Sequence, residues 1–154
     1  MISLYKPRYE DLWFRQALLS DAETMSYNRA WGGTIPFPEE KWRDWYARWV
    51  DGDETRRFYR YVRNADGAFV GEIAWHYDDA LGEHMADVVI HAKYRGAGCG
   101  GAALDALCAA ARENGVARLC DDLAADNPAL GMFLRRGFTE VRRTEKTILL
   151  RKTL

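Results

Sequence analysis

Arg95-Gly96-Ala97-Gly98-Cys99-Gly100-Gly101 decides how the rest of this chain is read. It follows an apolar run, Val88-Val89-Ile90, after the short entry His91 to Tyr94. It precedes a segment of helical periodicity in which Leu104, Leu107, Cys108 and Ala111 share one face. Glycines at 96, 98, 100 and 101 let the backbone approach a ligand with no Cβ atoms in the way. A loop that opens a helix leaves several N–H groups without intrahelical partners, and the macrodipole adds partial positive charge there. Such an end attracts phosphate or pyrophosphate, so a phosphorylated ligand is expected at this loop.

Two patterns compete for the loop. Gly96, Gly98 and Gly101 satisfy the dinucleotide fingerprint G-x-G-x-x-G, and a strand-like run ending at Asp121-Asp122 lies about where a ribose-binding acid would fall. The context argues against it. That fingerprint follows its strand almost directly, whereas His91 to Arg95 intervene here. It also opens a domain with two nucleotide-binding halves, and too little chain follows this one.

Arg95-x-x-Gly98-x-Gly100 resembles the acyl-coenzyme A pyrophosphate loop of the GNAT N-acetyltransferase superfamily, [Q/R]-x-x-G-x-[G/A]. Downstream, Asp126-Asn127-Pro128-Ala129 leads through Phe133-Leu134-Arg135-Arg136 to Gly137-Phe138. That is similar to the superfamily's second coenzyme A element, an Asn that starts a helix ending in Gly-Phe. The resemblance is good from Val62 to Leu154 and holds only in outline before that. It implies a GNAT-like α+β fold: a central, mostly antiparallel, twisted mixed sheet of about six to seven strands flanked by helices.

Composition agrees with a single domain spanning 1–154. The chain has 154 residues, 48% hydrophobic, with a formal net charge of −1, enough for one sizeable core. No basic block points to nucleic acid, and no apolar run approaches the ~20 residues of a membrane helix. The first residues turn polar too soon for a signal peptide. Cys99, Cys108 and Cys120 are odd in number with no Cys-x-x-Cys pair, so reduced thiols and a cytoplasmic location are expected. His76, His84 and His91 show no metal-ligand spacing, and no metal is expected.

Periodicity then orders the elements. Ile2 to Tyr5 reads as a strand and Tyr9 to Leu19 as a helix, and Ser20-x-x-Glu23 has the form of a capping box for a second helical segment. Pro38 and Glu39-Glu40 suit the start of a helix running to Val50, with Trp42, Trp45, Tyr46 and Trp49 at helical spacing. Phe58–Arg63, Ala68–Tyr77 and His84–Ile90 read as antiparallel strands, the first two joined through Asn64-Ala65-Asp66-Gly67. Helix Gly100–Asn114, strand Arg118–Leu123, helix Pro128–Arg136 and a closing hairpin, Phe138–Arg143 with Thr147–Arg151, complete the chain.

The resemblance implies acetyl-coenzyme A as the cofactor and transfer of its acetyl group to a primary amine, by direct attack in a ternary complex. Such a reaction needs an amine that has lost its proton, and free alkylamines hold theirs up to a pKa near ~10.4. The backbone of Gly96, Ala97, Gly98, Cys99, Gly100 and Gly101 would hold the pyrophosphate, with Arg95 adding charge. Ile90, Asn127 and Phe133 complete the implied cofactor contacts. Many members carry a general-acid Tyr where this chain has Phe133, which has no proton to give. Asn127 also lies one residue nearer the Gly of Gly-Phe than in many members.

Glu72 and Asp87 are the base candidates, each equally readable as an exposed strand residue or an ion-pair partner. Asp122 resembles in position an acid that aminoglycoside acetyltransferases use near their acceptor. Together with Asp121 and Asp78-Asp79 it reads as an acidic rim for cationic amines or as a solvated turn. Trp31 and Phe37, on the Gly/Pro loop, and Trp75 are candidates for the acceptor pocket, while the Trp42-Trp45-Trp49 stripe reads as core. A small-molecule amine is the expected acceptor. A protein N-terminus or lysine, and a coenzyme A-binding sensor with weak catalysis, are the alternatives. Many relatives form homodimers.

Overall fold

The computed structural model describes residues 1–154. Seven strands form one sheet: β1 (Ser3–Tyr5), β2 (Arg57–Arg63), β3 (Phe69–Asp78), β4 (Glu83–Ile90), β5 (Arg118–Ala124), β6 (Thr139–Arg143) and β7 (Thr147–Thr153), in the order β1-β2-β3-β4-β5-β7-β6. All neighbours are antiparallel except β4 and β5, as the sequence led us to expect of a mixed sheet. Four α-helices flank it: α1 (Leu12–Ser20), α2 (Trp42–Trp49), α3 (Cys99–Glu113) and α4 (Leu130–Arg135).

Period-2 alternation sends successive strand residues to opposite faces. Phe58, Val62, Ile73 and Trp75 pack on one face with Leu104, Leu107, Phe133 and Phe138. Tyr59, Tyr61, Ala74 and Val89 take the other, under Leu12, Leu18 and Trp45 of α1 and α2. Phe58 and Trp75 are direct cross-strand partners whose rings stack 4.2 Å apart. The β2–β3 turn is held by Asn64, whose Oδ1 accepts from the N–H groups of Asp66 and Ala68, both at 3.0 Å.

Helices α1 and α2 begin at Leu12 and Trp42, after short 3₁₀ turns, and not at Tyr9 and Pro38, and three further departures from the sequence reading have local causes. Ser20 does not cap the second segment. It ends α1, its Oγ donating to the Ala17 carbonyl oxygen, while Asp21 Oδ2 accepts from the Thr24 N–H and hydroxyl. The segment so started is a 3₁₀ helix, Thr24–Trp31. Helix α3 begins one residue early, because Gly98 takes the left-handed conformation (φ 83°) at its N-cap. Helix α4 starts at Leu130 because Asn127 Oδ1 accepts from the Ala129 N–H and spends the intervening residues on a turn.

The parallel pair opens the sheet. β4 and β5 are hydrogen-bonded only at His84↔Leu119 and Met85↔Cys120, and beyond those residues they part. Glu83, 6% exposed, staples the closed end of this V: Arg118 of β5 and Arg151 of β7 donate to its two carboxylate oxygens, each at 2.9 Å. The open end is braced by Arg95. Its guanidinium donates to the carbonyl oxygens of Ile90 (3.2 Å) and Thr24 (2.6 Å), and the Ala92 N–H donates to Thr24 Oγ1 (2.9 Å). These contacts hold the 3₁₀ segment and Tyr27 against the end of β4.

Candidate active site

The glycine loop divides into two functions. Gly96 and Gly98 have φ of 82° and 83°, and nothing lies within 4 Å of where a Cβ would stand on either. They are glycines because the backbone demands it, and the space before them is free. Gly100 and Gly101 instead serve helix packing. A Cβ on Gly100 would meet Met132 Sδ at 3.3 Å, and one on Gly101 would fall 2.1 Å from the Arg136 guanidinium. The exposed run from Gly96 to Gly98 opens the fifteen-residue helix α3, beside a cavity of about 360 Å³ bordered by Lys93, Tyr94 and Cys99. A conformation that excludes a Cβ, open space before it and a helix N-terminus behind it fit a pyrophosphate. Arg95 is spent elsewhere, on the carbonyl oxygens of the brace, and its expected role as a phosphate charge is corrected accordingly.

The V-shaped opening gathers several titratable side chains. Asp87 stands on β4 two residues past the last paired position, and Asp121 is the first residue of β5 beyond it. Asp87 lies diagonal to Glu72, which pairs with Val89, so both share the sheet face under α1 and α2. Asp87 is exposed at the opening, and partial desolvation by the surrounding strands, with the Glu72 charge adding and Arg15 opposing, pushes its carboxyl up to about 7. Burial also holds Asp121 well above the usual carboxylate range, and the Asp87 charge raises it further. Tyr27, from the 3₁₀ segment, stands in the field of Asp87, Glu72 and Asp121, and burial first and these charges second keep its phenol protonated.

Glu72 does not present a free carboxylate. It is 2% exposed, Arg15 Nη1 donates to its Oε2 at 2.7 Å, and the Tyr59 hydroxyl donates to the same oxygen. The guanidinium of Arg15 lies over the rings of Trp45 (4.3 Å) and Phe37 (5.0 Å). An ion-paired carboxylate enclosed by aromatic rings cannot act directly as a base, and of the two base candidates Asp87 alone faces the opening.

The remaining expected residues separate by burial. Trp75 is fully buried under Phe58 and Phe37 is 7% exposed against Trp42, so both belong to the core and not to an open pocket. Phe133, 3% exposed, packs edge-on against Phe138 in the core. Ile90 is buried too, its carbonyl oxygen engaged by Arg95. Trp31 is half exposed at the end of the 3₁₀ segment. Asp122 is exposed on β5, its pKa raised by partial burial and offset by Arg142. Asn127 makes its cap through Oδ1.

Sequence reasoning passed over Arg15 and Tyr27. Arg15 had a signal: it falls between Leu12 and Leu19 on the apolar side of α1, where a charge needs a buried partner. Tyr27 had none, since its place depends on the Arg95 brace. No group of three or more His, Cys, Asp or Glu side chains is arranged to hold a metal ion. No helix is long and apolar enough to cross a membrane.

Comparison with known proteins places this geometry in context. The sequence profile described as Acetyltransferase (GNAT) domain matches residues 2–138. Among solved structures, an acetyltransferase from Thermus thermophilus superposes with a TM-score of 0.75 at 21% identity, covering 100% of this chain and 97% of that one. A spermidine N-acetyltransferase from Vibrio cholerae, in complex with CoA and spermine, gives 0.80 at 16% identity over 99% and 95%. An N-acetyltransferase from Staphylococcus aureus gives 0.78 at 15% over 99% and 98%. At these identities the likeness is one of fold. No match is found by sequence among curated proteins.

Proposed function

The chain belongs to the GNAT acetyltransferase family, and we propose that it is an acetyl-coenzyme A-dependent N-acetyltransferase acting on a cationic primary amine of a small molecule. The observation that carries this reading is the parting of β4 and β5 beyond Met85, beside the open backbone of Gly96 and Gly98, with Asp87 on its wall. The loop from Gly96 to Cys99 would hold the pyrophosphate, and Asn127 borders the cofactor's arm. The cofactor supplies an activated acetyl group. The protein supplies alignment, potentially worth several kcal/mol, and proton removal.

Asp87 serves as the base. Held near 7, it is ionised in a large fraction of molecules at neutral pH yet is basic enough to take a proton from an ammonium, directly or through water. Asp87 and Asp122 give the opening an acidic lining that favours a cationic acceptor over a neutral one. A polyamine fits that lining, and the Vibrio cholerae neighbour is a spermidine N-acetyltransferase with spermine bound.

The test is thermal unfolding with acetyl-coenzyme A, coenzyme A and NAD, followed by turnover with a panel of amines, polyamines and aminoglycosides included. A ligand at a hundredfold excess over its dissociation constant stabilises the native state by about 2.7 kcal/mol. A shift with both coenzyme A forms plus acetylation of a small amine supports the reading. Binding without turnover of any amine would favour a sensor, and acetylation confined to peptides would move the acceptor to a protein.

A further inference from the structure

Within that reading, and resting on it, we propose that Tyr27 is a further catalytic residue, whose hydroxyl seats the acceptor nitrogen beside Asp87. The 3₁₀ segment that carries it is tied to the end of β4 by Thr24, through its bonds with Ala92 and Arg95, and it also lies against β5. It therefore crosses the opening between the two strands. Asp87 pairs with Ala74 and so stands on the sheet face that α1 and α2 cover. The Tyr27 ring packs against the core of that same face. Phenol and carboxylate are thus brought to one side of the sheet.

Six tyrosines meet this core: Tyr5, Tyr9, Tyr27, Tyr46, Tyr59 and Tyr61. Four commit their hydroxyls to the fold. Tyr5 donates to the Asp11 carboxylate, Tyr46 to the Pro7 carbonyl oxygen, Tyr59 to Glu72 and Tyr61 to the Asp11 carbonyl oxygen. Tyr9 has no such partner and lies edge-on to Trp42 and Tyr46 of α2. Tyr27 brings a free phenol to the segment that crosses the opening. Its ring is half-buried, yet its oxygen is bonded to nothing in the chain and is not sealed from solvent. Packing needs only the ring, and the oxygen is left for a ligand. Burial first and the Asp87 charge next keep this phenol protonated, so it acts as a neutral group.

A primary ammonium carries three N–H groups. Asp87 takes one proton, directly or through water, and two N–H bonds remain on the neutral amine. The Tyr27 oxygen accepts from one of them, since a phenol can accept as well as donate. Holding that bond fixes the direction of the nitrogen lone pair. The nitrogen then bonds to the acetyl carbon as the C–S bond breaks. The surplus proton on the new amide nitrogen passes through water to the departing sulfur, and Asp87 releases its own to solvent. Tyr27 exchanges no proton, and its contribution is orientation of the attacking atom.

Two measurements test it. The first is turnover of spermidine, or of the best amine in the panel. Tyr27→Phe keeps the ring, so the melting temperature and the KM for acetyl-coenzyme A should hold while kcat/KM for the amine falls by about 10–100-fold. A ring needed only for packing is served equally well by Phe, so an unchanged kcat/KM overturns the proposal. So does a loss carried by the KM for acetyl-coenzyme A. The second is NMR of protein with ring-labelled tyrosine, the Tyr27 signal being the one that Tyr27→Phe removes. It should move when the same amine is added to protein saturated with coenzyme A, and stay nearly still with coenzyme A alone. An amine complex, measured by calorimetry, that leaves this signal in place overturns the seat whatever the turnover. Failure to turn over any amine removes the transfer reading and the seat with it, whereas turnover that survives Tyr27→Phe intact removes the seat alone.

Discussion

Removing the Arg15 side chain tests how the floor of the site is held. In Arg15→Met the aliphatic bulk stays, but Glu72, 2% exposed, keeps only the Tyr59 hydroxyl as a partner. Breaking a buried pair from one side costs about 3–5 kcal/mol, because an uncompensated charge remains. At roughly 2–4 °C per kcal/mol for a chain of this length, the melting temperature should fall by about 6–20 °C at neutral pH. Glu72→Gln alone strands the arginine and should also destabilise. The double variant, with neither charge, should recover more than half of the loss. Urea unfolding of the four proteins closes the cycle, with unchanged m-values as the check on cooperativity. A loss under about 1 kcal/mol in Arg15→Met, or a double variant no better than the sum of the singles, would refute the claim that this pair is desolvated and mutually dependent.

Three further outcomes follow from the same geometry. Gly98→Ala, at φ 83° with open space ahead, should cost only about 1–2 kcal/mol yet abolish the thermal shift with acetyl-coenzyme A, whereas Gly100→Ala, whose Cβ meets Met132, should weaken packing more than cofactor binding. Gly71→Ala would put a Cβ 2.2 Å from the Val89 carbonyl oxygen, a rigid backbone group, and should destabilise by about 3 kcal/mol in urea unfolding. Asp87 titrates about 7 when folded and near ~3.9 when unfolded, so the folded state binds more protons between these values; its contribution is complete below about pH 4 and is lost as the pH rises through 7. Melting temperature should accordingly fall from about pH 5 to pH 8, and Asp87→Asn should make that fall shallower.

How much of this was legible in the sequence depends on the range of the interaction. The glycine loop, the alternating strands and the Asn64 turn are local, and period and turn chemistry place them within a residue or two. The aromatic stripe of α2 also read correctly as core, because helical spacing is a local property. The acceptor wall failed for the opposite reason. Phe37 and Trp75 are large and apolar in suggestive places, but both complete cores built from elements far along the chain. Glu72 looked like a base because its sequence neighbours do not show the arginine fifty-seven positions earlier that neutralises it. Asp121 was visible only as part of an acidic rim. Its place is set by the register at which β5 leaves β4, and no periodicity encodes that.

The distribution of paired and unpaired carboxylates carries the functional argument further than any motif. Four acids border the central strands where β4 meets its neighbours: Glu72, Glu83, Asp87 and Asp121. Burying an anion costs several kcal/mol unless a cation and hydrogen bonds repay it. Glu83 has Arg118 and Arg151, and Glu72 has Arg15 and Tyr59. Folding alone explains those two, since they lock the closed end of the V and the floor under α1. Asp87, exposed at the opening, and the partly buried Asp121 have no arginine partner, although the chain supplies arginines generously elsewhere in the sheet. Their raised proton affinities are a standing cost, and the cost falls at the one place where the sheet opens. Unpaired acids at the mouth of a cleft beside an open glycine loop are what the proposed proton transfer requires and what packing alone does not call for.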